Sequence, residues 1–213
     1  MYQTILFDLD GTLTEPALGI TNSIMYALKK WDIEVEDRST LYNFIGPPLV
    51  DSFAKYYGFS PEDCELALKY YREYFSVKGM YENEIYPGIR ELLATLKNAG
   101  KTVVLATSKP EEFAVGILKY FEIDGYFDFV AGASMDGVRS KKSDVIDFAI
   151  AGAGITDLSA TVMIGDREYD ILGAKHAGID SIGVLYGYGN YEELNNAGAT
   201  HIAGMVEDIL SLL

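Results

Sequence analysis

The sequence predicts an α/β protein with a doubly wound, parallel-sheet core interrupted by one all-helical insertion. Three observations carry this expectation. From residue 87 onward, β-branched runs alternate with helical periodicity, the pattern of parallel strands joined by crossover helices. One strand-like apolar run, residues 2–7, stands apart at the N-terminus. Between them, residues 15–86 carry helical periodicity only.

The elements follow in order. Residues 2–7 read as a short buried strand ending at Asp8-Leu-Asp10-Gly11-Thr12. In the insertion, Ile20, Ile24, Ala27, Leu28 and Trp31 share one helical face. Ser60-Pro61-Glu62-Asp63 supplies an N-cap, a first-turn proline and two first-turn acids. Leu66, Tyr70, Tyr74 and Val77 keep helical spacing behind it. After Pro87, Ile89, Leu92, Leu93, Leu96 and Ala99 form a helical face that Gly100 can end. Residues 102–106 read as a strand ending at Thr107-Ser108-Lys109, followed by a helix after Pro110. A strand near 127–131, a helix from about 143, and a strand over 161–164 ending at Gly165-Asp166 come next. A helix running to Ala177 with Gly178 as its stop, a strand over 181–185 and a last helix near 205–213 complete the chain. Right-handed crossovers place helices on both faces of such a Rossmann-like sheet. The expected division is a core of residues 1–14 and 87–213 and a helical cap of residues 15–86, with hinges at Glu15-Pro16 and near 79–86.

Composition narrows the function classes. At 213 residues the chain can bury a core without disulfides or metal staples. Its net charge of −15 argues against a sequence-independent nucleic-acid partner, which needs a positive face. Cys64 is the single cysteine, so no intrachain disulfide can form and a cytoplasmic location is expected. No signal peptide is expected, because the apolar run 5–7 is interrupted by Asp8. No stretch approaches the ~20 apolar residues of a membrane span.

The chemistry gathers at strand ends. Asp8, Asp10, Thr107 and Asp166 each follow an expected strand, and in an open parallel sheet those ends share one ligand-binding edge. Three carboxylates there repel unless a cation compensates, and oxygen donors suit Mg²⁺. In Asp8-Leu-Asp10 the two-residue spacing on an extended chain puts both carboxylates on one side. One can attack while the other moves a proton. Gly11 lets the backbone turn sharply and present N–H groups to an anion. His176 and His201 lack spaced partners and read as surface or core residues. Gly187-Tyr-Gly189 lacks the frame of a dinucleotide loop. The insertion holds 14 of the 27 aromatics, and packing of a small helical core accounts for them more simply than stacking on a nucleobase.

These segments resemble the haloacid dehalogenase-like hydrolase superfamily, over the whole chain and in order. Asp8-Leu-Asp10-Gly-Thr looks like its first motif, Thr107-Ser-Lys its second, Lys141 or Lys142 its third, and Gly165-Asp166-Arg-Glu-Tyr-Asp170 its fourth. The helical insertion resembles the C1-type cap of the phosphoglycolate phosphatase-like branch, and Ile45-Gly46-Pro47-Pro48-Leu49 its substrate loop. Where that family often has Lys-Pro-x-Pro, this chain has Arg139-Ser-Lys141-Lys142-Ser-Asp144; Lys142 is preferred, as nearest the expected helix start.

The resemblance implies roles. Asp8 is then the nucleophile and Asp10 the acid and base, with Mg²⁺ held by the Asp8 carboxylate, the Asp10 main-chain carbonyl and Asp166. Thr107, Ser108 and Gly11 meet the phosphoryl oxygens, Lys142 neutralises charge, and Asp170 plays a supporting part, orienting the lysine or a metal-bound water. The implied activity is hydrolysis of a small phosphorylated metabolite, phosphoglycolate phosphatase-like or 5′-nucleotidase-like, by a monomer or small homo-oligomer. A phosphohexomutase of the same fold, or a phospho-aspartyl signalling or binding module without turnover, are the alternatives.

Overall fold

The computed structural model describes residues 1–213. It divides into two compact units, one formed by Met1–Glu15 with Ile85–Leu213 and the other by Pro16–Glu84.

The first unit is built on a six-stranded sheet in the order β5-β4-β1-β6-β7-β8. Its strands are β1 (Thr4–Phe7), β4 (Thr102–Pro110), β5 (Phe129–Ala133), β6 (Thr161–Gly165), β7 (Asp180–Val184) and β8 (His201–Ala203). Every neighbouring pair is parallel, with Phe7 level with Leu105 on one side and Ile164 on the other. Successive strands run outward from β1 in one direction to β5 and in the other to β8. The strand order therefore reverses at β1, the place where an open α/β sheet leaves a crevice for a ligand.

The connecting helices are α4 (Ile89–Asn98), α5 (Glu111–Tyr120), α6 (Lys142–Gly152), α7 (Glu168–Ala177) and α8 (Tyr191–Ala197). A short α9 (Ile209–Leu212) ends the chain. Right-handed crossovers put α4 and α5 on one face and α6, α7 and α8 on the other. On the second face Leu6, Val104, Ala106 and Met163 of the sheet meet Val145, Ile146, Ala149 and Ala174 of α6 and α7. Strands covered on both faces read as continuous apolar runs, and Ile5, Leu6 and Phe7 are all fully buried.

The second unit contains α1 (Ala17–Leu28), α2 (Leu49–Tyr57) and α3 (Pro61–Phe75), with α3 packed on both of the others. Ser60 caps α3 by accepting from the Asp63 N–H at 3.1 Å, as the sequence signature implies. Its core includes Ile24, Leu28, Phe44, Phe53, Ala67 and Phe75. No helix of the chain is long and apolar enough to cross a membrane.

Several expectations need correction. The insertion is not helical throughout: β3 (Glu84–Ile85) pairs with β2 (Thr14–Glu15) in a two-stranded sheet, too short for alternation to reveal. The helix around Ile20 stops at Leu28, and Trp31 lies in a separate 3-10 turn. The buried side of α3 is Cys64, Ala67, Tyr71 and Phe75, while Leu66 and Val77 are exposed. Aromatic residues surround this helix, so two stripes fit its periodicity and packing against α1 and α2 chooses between them. β4 does not end at Ala106 but continues to Pro110 through an irregular register. β5 starts two residues later than the expected strand near 127–131. α8 and β8 were not expected; Asn190 at the N-cap and Gly198 in the left-handed region after Ala197 are the signals that mark α8. At the C-terminus only four residues are α-helical, after a 3-10 turn.

Leu6 stands at the centre of the sheet with no exposed surface. Leu6→Ala is expected to lower unfolding free energy by about 2–5 kcal/mol, read from the midpoint of a urea titration.

Candidate active site

The site is assembled at the carboxyl ends of β1, β4 and β6. β1 hands over to Asp8, whose N–H still donates to the Ile164 carbonyl at 2.9 Å. The Asp8 side chain is thus fixed at the sheet edge, and it is buried. Gly11 then reverses the chain with φ of 82°. A Cβ at Gly11 would lie 2.2 Å from Asp166 Oδ2, so no other residue fits.

Lys142, the first residue of α6, is buried and reaches back to this edge. Its Nζ donates to Asp8 Oδ1 at 2.6 Å and to the Ala106 carbonyl at 3.1 Å. It also pairs with Asp170 Oδ1 at 2.8 Å. A cation at a helix N-terminus opposes the helix dipole, and these two carboxylates compensate it. Burial pulls the Lys142 pKa down, but Asp170 and Asp8 outweigh it and leave the ammonium firmly charged. Lys141, by contrast, is the exposed N-cap residue of α6.

Asp166 and Asp170 come from the β6–α7 junction. Arg167 is the N-cap of α7, and Asp170, three residues on, accepts from the Arg167 N–H at 3.1 Å. That bond holds one Asp170 oxygen and leaves the other for Lys142. Ligand oxygens of Asp8, Asp166 and Asp170 all lie within 4.8 Å of one another, and all three residues are buried. Asp170 therefore stands inside the carboxylate cluster. Burial raises the Asp166 pKa well above the usual carboxylate range, and the Asp170 and Asp8 charges add to it. The Asp170 pKa is pushed up to about 6, again by burial first, with Lys142 pulling against it. One lysine thus faces three carboxylates. This uncompensated negative charge, presented by hard oxygen donors, fits a divalent cation such as Mg²⁺.

The Asp10 carboxylate lies outside that cluster. It pairs with Lys109 Nζ at 2.8 Å through Oδ2. Burial raises its pKa, Lys109 lowers it and Asp8 raises it, with the net shift upward. Any contribution of Asp10 to a cation is then left to its main-chain carbonyl. Thr107 is buried on β4 with its hydroxyl accepting from the Lys109 N–H at 3.3 Å, and Ser108 between them is half-buried.

Two parts of the site were not read from the sequence. One is Lys109, whose signal was its position two residues beyond Thr107 on an extended chain. The other is the loop after β7. The Tyr188 N–H donates to Asp166 Oδ2 at 2.8 Å, and Thr12 Oγ1 donates to Asp166 Oδ1 at 3.4 Å. The Tyr186 hydroxyl donates to the Thr12 carbonyl at 3.0 Å, and the Tyr188 hydroxyl bonds Glu15. A Cβ on Gly187 would fall 2.3 Å from the Gly11 carbonyl oxygen. Gly187-Tyr-Gly189 is thus a close-packed support for Asp166 and not a dinucleotide loop.

A switch-point sheet edge that carries an Asp-x-Asp pair, a buried lysine and a further acidic pair fits the class of α/β enzymes that handle an anion beside a cation. Comparison with known proteins narrows this. Residues 5–184 match the haloacid dehalogenase-like hydrolases, and the chain belongs to that family. It is 44% identical to a 5′-nucleotidase of Pseudomonas aeruginosa, covering 94% of this chain and 90% of the relative. It is 30% identical to a phosphoglycolate phosphatase of Colwellia psychrerythraea, over 92% of this chain and 90% of the relative. The crystal structure of a predicted phosphatase from Clostridium acetobutylicum superposes with a TM-score of 0.96 at 50% identity, covering 100% of this chain and 98% of that one. The family and the activity class these relatives share make the protein a phosphoric monoester hydrolase of the phosphoglycolate phosphatase-like branch.

The charge excess predicts a pH-dependent stability. Between the unfolded value of 3.8 and about 6, folded Asp170 holds a proton that the unfolded chain has released. The sign is that of a raised acid: its penalty is full above about 6 and is relieved as pH falls through that window. In EDTA, Tm is expected to rise as pH falls from neutral toward 5, and millimolar Mg²⁺ is expected to raise Tm at neutral pH and flatten the slope. Thermal melts across pH, with and without Mg²⁺, check both.

Proposed function

We propose that the protein is a Mg²⁺-dependent phosphatase that hydrolyses a small phosphate monoester through an aspartyl-phosphate on Asp8. The observation that carries this reading is the division of labour between two lysines. Lys142 holds Asp8 within a buried carboxylate cluster, while Lys109 holds Asp10 apart from it.

In the first half-reaction an Asp8 carboxylate oxygen bonds to phosphorus. The bond from phosphorus to the ester oxygen breaks, its electron pair stays on that oxygen, and Asp10 gives the oxygen a proton. In the second, water attacks phosphorus while Asp10 takes its proton, the bond to Asp8 breaks, and inorganic phosphate leaves. Lys142 offsets the negative charge carried by Asp8 and the phosphoryl group. Thr107 and Ser108 supply hydroxyls and backbone N–H groups for the phosphoryl oxygens, whereas the Gly11 N–H is taken by the Thr14 carbonyl at 2.8 Å and Gly11 serves the turn alone. The Asp8 carboxylate, the Asp10 main-chain carbonyl and Asp166 would hold Mg²⁺, and Asp170 steadies Lys142. Bound there, Mg²⁺ supplies electrostatic stabilisation of the spread phosphoryl charge.

Because this set of residues addresses only the phosphate and the first atom beyond it, choice of ester is assigned to the insertion, residues 15–86. The 44% identical relative is named a 5′-nucleotidase, which puts nucleoside 5′-monophosphates first among the esters to test, with phosphoglycolate second.

The test is phosphate release from a panel of esters with Mg²⁺ or EDTA. Turnover is expected with Mg²⁺, and EDTA or Asp8→Asn is expected to lower kcat below detection, a loss of at least about 10⁴-fold, with the fold retained by circular dichroism. Activity retained by Asp8→Asn, or no turnover on any ester by a folded wild type, would overturn the reading.

A further inference from the structure

Lys109 is a buried cation that takes part in no step of the reaction scheme above. It reaches the site through an irregularity in β4. The register against β5 shifts between Ala106 and Pro110, so the strand carries residues 107–109 past the point where its ladder breaks. The two-residue alternation continues there, with Thr107 and Lys109 buried and Ser108 between them less so. Thr107 and Lys109 therefore share the side of the strand that faces the site.

The ion pair that Lys109 makes is asymmetric. Its Nζ lies 2.8 Å from Asp10 Oδ2. Asp10 Oδ1 is also buried but has no hydrogen-bond partner. A buried carboxylate oxygen without a partner is costly unless one arrives during function. Side-chain exposure at the pair is 5% for Lys109 and 13% for Asp10, so solvent does little to hold the carboxylate in place.

We propose that Lys109 is a positioning residue that fixes the Asp10 carboxylate through Oδ2 and so reserves Oδ1 for the oxygen of the leaving group. The inference rests on the phosphatase reading and deepens it. In the step concerned, the phosphorus–oxygen bond breaks with its electron pair on the ester oxygen. The proton passes from Asp10 Oδ1 to that oxygen, and Asp10 remains as a carboxylate paired with Lys109, whose own protons do not move. Positioning of this kind matters in proportion to how much the leaving oxygen needs a proton. An alkoxide needs one, and 4-nitrophenolate leaves without it.

The experiment measures kcat/KM, which covers steps up to leaving-group departure, for a nucleoside 5′-monophosphate and for 4-nitrophenyl phosphate at saturating Mg²⁺. Wild type, Lys109→Met, Lys109→Arg and Asp8→Asn are compared. Lys109→Met is expected to lower kcat/KM on the alkyl ester by on the order of 100-fold and on the aryl ester by less than about tenfold. Lys109→Arg, which keeps the charge, is expected to restore part of the alkyl activity. The ratio of the two esters is read within one sample, so it does not depend on the folded fraction; Lys109→Gln is read the same way should Lys109→Met fail to fold. An equal loss on both esters would assign Lys109 a purely structural or general electrostatic role and overturn the inference. So would no loss on either. An inactive wild type, or an active Asp8→Asn, would instead refute the phosphatase reading itself.

Discussion

The interaction on which the site depends is the buried contact of Lys142 with Asp8 and Asp170. A lysine ammonium costs several kcal/mol to take out of water, and it is retained only where its donors are met. Here its donors are met by two carboxylates and the Ala106 carbonyl, which ties α6, β1, β4 and α7 together at one point. Removing the lysine would leave the Asp8 and Asp170 carboxylates buried without their cation. The same contact orients Asp8 and keeps one of its oxygens occupied. The ion pair that stabilises the buried lysine and the fixed orientation of Asp8 are therefore one arrangement.

The lysine does not balance the charge around it. Asp166 brings a third carboxylate into the cluster, and its pKa is raised because burial and two neighbouring acids disfavour its ionised form. Its position is nevertheless tightly held, by the Tyr188 N–H on one oxygen and Thr12 on the other, with Gly11 and Gly187 packed against it. Two glycines and a loop thus hold in place a carboxylate whose charge the surroundings disfavour. A cation bound by such a cluster in the folded state alone would stabilise the fold, which is how metal, pH and folding would be linked.

Much of this was legible along the chain, for identifiable reasons. The sheet was readable because a strand covered on both faces is an uninterrupted apolar run, as in Ile5-Leu6-Phe7 and Val162-Met163-Ile164. Strand ends could be marked because Asp8 and Asp166 break those runs with charge. What escaped was whatever depends on short or locally unremarkable segments. β2, β3 and β8 are two or three residues long, below the length at which alternation is informative. Spacing alone did not choose the buried stripe of α3, because its sequence offers aromatics on more than one side. Lys109 was read within the Thr107-Ser-Lys segment but given no role, since nothing local says that β4 continues through an irregular register and carries it inward.

The sequence by itself determined the class of fold, the order of its longer strands and helices up to β7, the placement of an insertion after the first strand, and the set of acids at strand ends. These follow from periodicity and from the breaks in it, which are properties of neighbouring residues. Only the tertiary structure decided which of two adjacent lysines enters the site, that Asp170 joins the carboxylate cluster while the Asp10 side chain does not, and that a Gly-Tyr-Gly loop distant in sequence supports Asp166. Each of these is set by which helix start or strand end lies beside which other. Such neighbours come from residues far apart in the chain, and only closing the sheet around β1 brings them within hydrogen-bonding distance.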